Sequence, residues 1–232
     1  MKAEGIRAND FSYNSAITAC GEGGAEYTDT ALSLLAEMKA EGIQPNEFSY
    51  SSAITACGEG GAKYTDTALT LFNEIKEARL KPNDVAYNAI TKACFDSNRY
   101  FEALMKIREA ADLGIEINDQ PVCIDVSTEN RLPMWDLYRL TEATACMLVS
   151  DALLNLVATN AGPPPIFQDV LVDTGKGQVL RDKVPTFFNN VARLKITAIE
   201  GNEGRFLISA ASLEEWVASG AFNKFQSLFR EE

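Results

Sequence analysis

The chain has 232 residues, 46% of them hydrophobic, a mean hydropathy of -0.11 and a formal net charge of -12. That length can hold one large or two small domains with a real core, and no run of about 18 apolar residues is present to cross a membrane. Histidine is absent, which excludes Ser-His and Cys-His nucleophilic pairs and histidine-ligated metals, while the acidic balance confines any nucleic-acid contact to a local stripe.

Residues 1–6, "MKAEGI", recur at 38–43. The chain is therefore expected to begin inside a repeat and to be the C-terminal part of a longer protein. Its opening lacks the apolar stretch of a secretory signal and the Arg/Ser richness of a transit peptide. "FSYNSAITACGEGGAEYTDTAL" (11–32) returns at 48–69 as "FSYSSAITACGEGGAKYTDTAL", with Asn14 replaced by Ser51 and Glu26 by Lys63. A third, looser copy begins at Val85. Tyr13, Ala16, Ile17 and Cys20 fall at i, i+3, i+4 and i+7, which predicts one apolar stripe on a helix. Ala31, Leu34, Leu35 and Met38 repeat that spacing in a second helix, and Gly42 is its expected stop. "GEGG" (21–24, 58–61) is expected to break the chain between the two helices, and "QPN" and "KPN" to turn it into the next unit. Helical hairpins recurring at this period predict a solenoid, in which each unit buries its apolar face only against its neighbours.

Five cysteines include no CxxC pair, and Cys20, Cys57 and Cys94 each follow an alanine at the same place in the repeat. They are read as small residues buried between stacked units, in keeping with a reducing compartment. Past Asn118 the pattern changes. Residues 119–132 read as a connector. Beyond it come a short strand in "MWDLYRL", a long threonine-capped helix over 141–160, and a strand in "FQDVLVDTG" running into a glycine turn. A helix with Pro185 inside it follows, its first turn expected near Val184. Two strands joined by "GNEG" and a closing helix over 212–229 complete a β-α-β-α-β-β-α sandwich over 133–232.

The repeat resembles the pentatricopeptide repeat family in its Tyr-Asn start, its Ala-Leu-x-Leu and Glu-Met-Lys second helix and its Gly-Ile-x-Pro-Asn end. The repeats then run 10–46, 47–83 and 84–118, with 1–9 as a remnant; the units at 37 residues exceed the third by two, around "EYT" and "KYT". The resemblance implies binding of single-stranded RNA, one base per repeat. The reading pairs it implies are Asn14 with Asn46, Ser51 with Asn83, and Asn88 with Asn118. Phe11, Phe48 and Val85 are the implied wedges between bases. The family's code assigns pyrimidines to Asn/Asn and adenine to Ser/Asn, hence pyrimidine–adenine–pyrimidine, 5′ to 3′. Side-chain amides and hydroxyls can exchange hydrogen bonds with a base edge, and an aromatic ring stacks on any base.

Residues 133–217 resemble an Smr domain. The family's Asp-Leu-His-Gly stands here as Asp136-Leu137-Tyr138-Arg139, its glycine loop as Thr174-Gly175-Lys176-Gly177, and its Gly-Asn-x-Gly turn as Gly201-Asn202-Glu203-Gly204. This implies phosphate contacts from that loop and Arg181, to RNA and also to DNA. It also implies a candidate endonuclease using Asp136, Tyr138 and Lys176, with Mg²⁺ or Mn²⁺ as the metal such a reaction would use and no other cofactor. Tyrosine in place of the family's histidine weakens proton shuttling at neutral pH. The combined resemblance places the protein in chloroplasts or mitochondria, in RNA processing. The rival reading is a non-catalytic protein-interaction scaffold.

Overall fold

Each repeat opens on an asparagine that satisfies the free N–H groups of a helix start. In the computed structural model, which describes residues 8–115, 117, 124–125, 134–137, 140–159, 167, 169–175 and 178–230, Asn9 caps α1 (Asp10–Gly23) by accepting from Ser12 N at 3.0 Å. Asn46 caps α3 (Glu47–Gly60) and Asn83 caps α5 (Asp84–Asp96) in the same way. Such a cap is worth about 1 kcal/mol. The partner helices are α2 (Thr28–Ala40), α4 (Thr65–Glu77) and α6 (Tyr100–Asp112). The chain divides into two compact units. One holds α1–α5 with the end of α6, and the other holds residues 100–107 with the elements that follow.

In the first unit five of the eight predicted stripe residues are buried, while Ala16, Cys20 and Leu34 are half-buried. Tyr13 and Ile17 of α1, and Ala31, Leu35 and Met38 of α2, are all under 5% exposed. Successive repeats are stitched by recurring polar contacts. Thr28 Oγ1 donates to Ala56 O at 2.9 Å, and Thr65 Oγ1 donates to Ala93 O at 3.1 Å. Tyr64 Oη donates to Asp29, and Arg99, at the matching place one repeat later, pairs with Asp66. Cys57 and Cys94 are fully buried, and burial pushes the Cys57 thiol up to about 11. Cys20 is half-buried.

Two boundaries differ from the sequence reading. α1 and α3 run through Gly23 and Gly60, so the break falls at Gly24 and Gly61 alone. A short 3-10 turn, Ala25–Tyr27 or Ala62–Tyr64, then occupies the two extra residues of those units. Gly42 stops α2 as expected, in the left-handed region at φ 77, with Ile43 N bonded back to Met38 O. The matching residue after α4 is Arg79, held at φ 57 by the same bonding, Leu80 N to Ile75 O at 2.9 Å. A side chain in that region is costly and glycine is not. Arg79→Gly is therefore expected to stabilise the first unit by about 1 kcal/mol, read as a higher denaturation midpoint at unchanged m-value. A lower midpoint would show that the Arg79 side chain contributes more than its backbone strain removes.

The second unit is built on a sheet that, among the described residues, has the order β1-β2-β3-β5-β4. β2 (Met134–Asp136) and β3 (Val170–Asp173) are parallel, with α7 (Glu142–Thr159) lying between them in the chain. Parallel neighbours need such a crossover. β5 (Asn202–Ile208) lies antiparallel between β3 and β4 (Thr197–Ile199). β1 (Ile124–Asp125), inside the stretch read as a connector, pairs antiparallel with β2.

Three expectations are corrected here. The helix carrying Pro185 begins at Gln178, not near Val184, and α8 (Gln178–Phe187) continues into a π-helical turn, Phe188–Ala192. Proline lacks the N–H that the ladder uses and crowds the turn before it, yet the helix runs through residues 181–184 all the same. The single closing helix is two, α9 (Ala210–Ala218) and α10 (Ala221–Ser227), divided at Gly220 with φ 75. The strand after the "GNEG" turn starts at Asn202, so only Gly201 of that motif precedes it. Trp216, Phe222, Phe225 and Phe188 pack edge-on or tilted against one another, and Trp216 Nε1 donates to Ala192 O at 2.6 Å.

Candidate nucleic-acid interface

The second residue of each capped helix is Phe11, Phe48 or Val85, and these three are 75%, 60% and 47% exposed. Most large apolar residues of the repeats are buried, so exposed side chains recurring at one position mark a surface feature of the solenoid. Three residues on, one helical turn away, stand Asn14, Ser51 and Asn88, so the two positions share a helix face.

The reading pairs meet where they are described. Asn14 Nδ2 donates to Asn46 Oδ1 at 3.3 Å, and Ser51 Oγ donates to Asn83 Oδ1 at 2.8 Å. Both Asn14 and Asn46 are half-buried. Ser51 is only 3% exposed, and its hydroxyl also lies 2.6 Å from Glu47 O. Asn88 is half-buried and has an interaction of its own, and Asn118 lies outside the described residues.

The closing asparagine of each pair has a second task. Asn46 Oδ1 accepts from Phe48 N and Ser49 N, both at 3.1 Å, and Asn83 Oδ1 accepts from Ala86 N at 2.9 Å. The carbonyl end of each amide is thus turned to the helix, which leaves the Nδ2 end as the group with donors to offer. Ser49, fully buried, was not picked out in the sequence. Its hydroxyl donates to Asn14 Oδ1 at 2.5 Å and accepts from Asn46 N at 3.1 Å. The only signal for it was its place two residues before Ser51, where the third repeat has Ala86.

In the second unit, the glycine loop is closely tied to the sheet. Thr174 is 1% exposed, and its N–H and hydroxyl both donate to Gly204 O, at 2.8 and 3.0 Å. Gly175 N donates to Asp173 Oδ1 at 2.8 Å, and Asp173 Oδ2 accepts from Arg205 Nε at 2.8 Å. A Cβ on Gly204 would stand 2.2 Å from Gly175 O, so this crossing requires glycine. The donors of Thr174 and Gly175 are therefore turned inward. Arg181 on α8 is half-buried and has an interaction of its own. Lys176, Gly177, Tyr138 and Arg139 lie outside the described residues. Of Asp136 only the backbone is described, in register with Asp173 at the ends of β2 and β3. No three acidic or cysteine side chains gather to hold an ion among the described residues, and the Asp173 carboxylate is committed to Gly175 and Arg205.

Capped hairpins in tandem, exposed wedges and paired amides define a helical-repeat protein with an α/β unit attached. Residues 1–60 and 61–97 match the family model described as the pentatricopeptide repeat domain. Among solved structures, the fold is similar to the pentatricopeptide repeat protein PPR10 from maize, at TM-score 0.50 and 19% identity over 98% of this chain and 28% of that one. PPR10 in complex with an 18-nt psaJ RNA element aligns at TM-score 0.46, 19% identity, 98% of this chain and 24% of that one. The chain thus spans about a quarter of the length of these structures. No curated protein matches the chain.

Proposed function

We propose that this chain binds single-stranded RNA selectively, reading successive bases with successive repeats. The observation that carries the reading is the pairing of an exposed aromatic ring with a base-edge donor set in the first two repeats: Phe11 beside Asn14–Asn46, and Phe48 beside Ser51–Asn83. The family match over residues 1–97 supports the same conclusion. Ring faces stack on any base, while amides select among edges. Ser51 is short and its hydroxyl is held by its own repeat, so the space before Asn83 Nδ2 suits a larger base, an adenine. Asn14 fills that space in the first repeat, which suits a pyrimidine.

We read the α/β unit as Smr-like, with parallel β2 and β3, the sheet order β2-β3-β5-β4, and the Gly175–Gly204 crossing in support. Its role in this proposal is contact with RNA or DNA phosphates near the Lys176 loop. Strand cleavage is left out of the proposal, because tyrosine stands at 138 where the resemblance calls for the histidine that would shuttle a proton at neutral pH. An organellar setting in RNA processing belongs to the proposal and rests on the family resemblance.

The test is a binding titration of the full chain against short single-stranded RNAs across salt. Affinity that rises as salt falls, with log K linear in log salt, is the expected result. No affinity at low salt would favour the scaffold reading. In the same assay Ser51→Asn is expected to move the preference at one base from adenine toward pyrimidine, by roughly 5- to 100-fold. An unchanged preference across a randomised RNA pool would remove the assignment of that pair.

A further inference from the structure

We infer that the face of α1 opposite α3 is a docking surface for one further helical hairpin, and that the hairpin it takes is one whose second helix opens with threonine and aspartate. The inference stands independently of RNA reading.

The first helix of a repeat has a giving edge and a receiving face. α1 meets α3 through Asn14, Thr18 and Gly21. Thr18 Oγ1 and Ser52 Oγ lie 2.8 Å apart, and a Cβ on Gly21 would stand 3.2 Å from Ser52 O. The receiving face of α3 consists of Ser49, Ala53, Ala56 and Cys57, and that of α5 of Ala86, Ile90, Ala93 and Cys94; all eight are fully buried. The same positions of α1 are Ser12, Ala16, Ala19 and Cys20. At about 100° per residue they lie opposite the edge that meets α3. Here Ala19 is exposed and the other three are half-buried. Tyr27 completes the contrast, being 44% exposed where Tyr64 is 9% exposed.

What covers the two closed faces defines what fits the open one. In each case the preceding repeat lays the opening of its second helix across the face. Thr28 Oγ1 donates to Ala56 O, and Asp29 accepts from Tyr64 Oη at 2.7 Å. One repeat later Thr65 Oγ1 donates to Ala93 O, and Asp66 accepts from Arg99. Gly60 makes the room, since a Cβ there would stand 2.6 Å from Thr28 Oγ1. The open face holds the same set in the Ala19 carbonyl, the Tyr27 hydroxyl and Gly23. Small residues alone would suit many surfaces. The carbonyl and the phenol, set as in the next repeat, select a Thr–Asp opening. A second copy of this chain does not supply it, because both of its Thr–Asp pairs are already engaged. α6 bears on the rule from the other side. It opens with Tyr100 and Phe101 in place of Thr–Asp, and Tyr100 packs on Phe187 and Phe229, with ring centroids 5.5 and 6.3 Å away. Thr–Asp thus marks a second helix that another repeat follows.

The experiment inserts a second copy of residues 10–46 after Asn9 of the full chain, with Cys20→Ala in the added copy so that only the original Cys20 is followed. Labelling by a small thiol reagent is read by peptide mass, with Cys57 as the buried reference. In the unextended chain Cys20 is expected to label at least about tenfold faster than Cys57, since no opening has to precede its reaction. In the extended chain its rate should fall toward that of Cys57, while far-UV circular dichroism gains the signal of one hairpin. Thr28→Val with Asp29→Ala in the added copy should return labelling by about five- to a hundredfold, each hydrogen bond contributing roughly two- to tenfold. Unchanged labelling of Cys20 in the extended chain, or no gain of helix, overturns the inference. Equal protection by the two extended chains overturns it as well, because the Thr–Asp pair then selects nothing. Dimerisation of the unextended chain in sedimentation, with Cys20 protected as concentration rises, gives the face to a second copy and overturns it too. The RNA titration of the unextended chain decides the earlier proposal separately.

Discussion

Replacing Phe11 and Phe48 together with alanine is expected to weaken RNA binding by about 2–6 kcal/mol, since stacking on an aromatic side chain is worth roughly 1–3 kcal/mol per base. That is a loss of between about thirtyfold and four orders of magnitude in Kd. The two rings are 75% and 60% exposed, so their removal leaves the packing between repeats intact. Far-UV circular dichroism and the denaturation midpoint should therefore match those of the wild type while fluorescence anisotropy reports the loss. An unchanged Kd would mean that no base sits against these rings. A Kd change accompanied by a lower midpoint would mean that the rings support the fold instead. Val85, at the matching place in the third repeat, has no ring to stack, and Val85→Ala should cost far less in the same titration.

The second large effect lies in the core. Phe72 is fully buried and meets Tyr87 edge-to-face, with ring centroids 5.0 Å apart at 72°. Phe72→Ala is expected to destabilise the repeat unit by about 3–5 kcal/mol, the sum of lost transfer energy and the cavity left behind. The contact bridges the second and third repeats, and in a solenoid stability accumulates through such interfaces between neighbours. Phe72→Leu makes the control, because the first repeat carries Leu35 at the matching place, only 3% exposed. It should cost less than half as much. If denaturation monitored by circular dichroism shows the two variants alike, the ring contact with Tyr87 adds nothing beyond apolar volume.

What could be read without coordinates follows from the range of each interaction. The hairpins were legible because their signal is local: Tyr13 and Ile17 recur at helical spacing, and both are buried. The wedges and reading pairs were named by resemblance, and the structure places Asn14 against Asn46 and Ser51 against Asn83. Ser49 was missed because its partner Asn14 is 35 residues away, beyond any periodicity a single helix imposes. Arg79 carries no local signal of its own. Only its alignment with Gly42 shows that the backbone there is left-handed. The split at Gly220 and the π-helical turn after Pro185 were read through for the same reason: apolar spacing persists across both, and the break is made by backbone geometry that spacing does not encode. In the α/β unit the inward turn of Thr174 could not be foreseen, since a threonine before a glycine loop looks the same whether its hydroxyl faces a phosphate or Gly204 O.

The closing asparagines carry one more consequence. Asn46 and Asn83 each use a single oxygen to start the next helix and to hold the side chain proposed to face a base. If the chain reads RNA as proposed, recognition and folding are written in the same atom. Any change of letter at the end of a repeat must be made with a residue that can still begin a helix, which confines that place to asparagine, aspartate, serine and threonine. The vocabulary of such a tract is limited by what its own chain can fold, before any RNA is met.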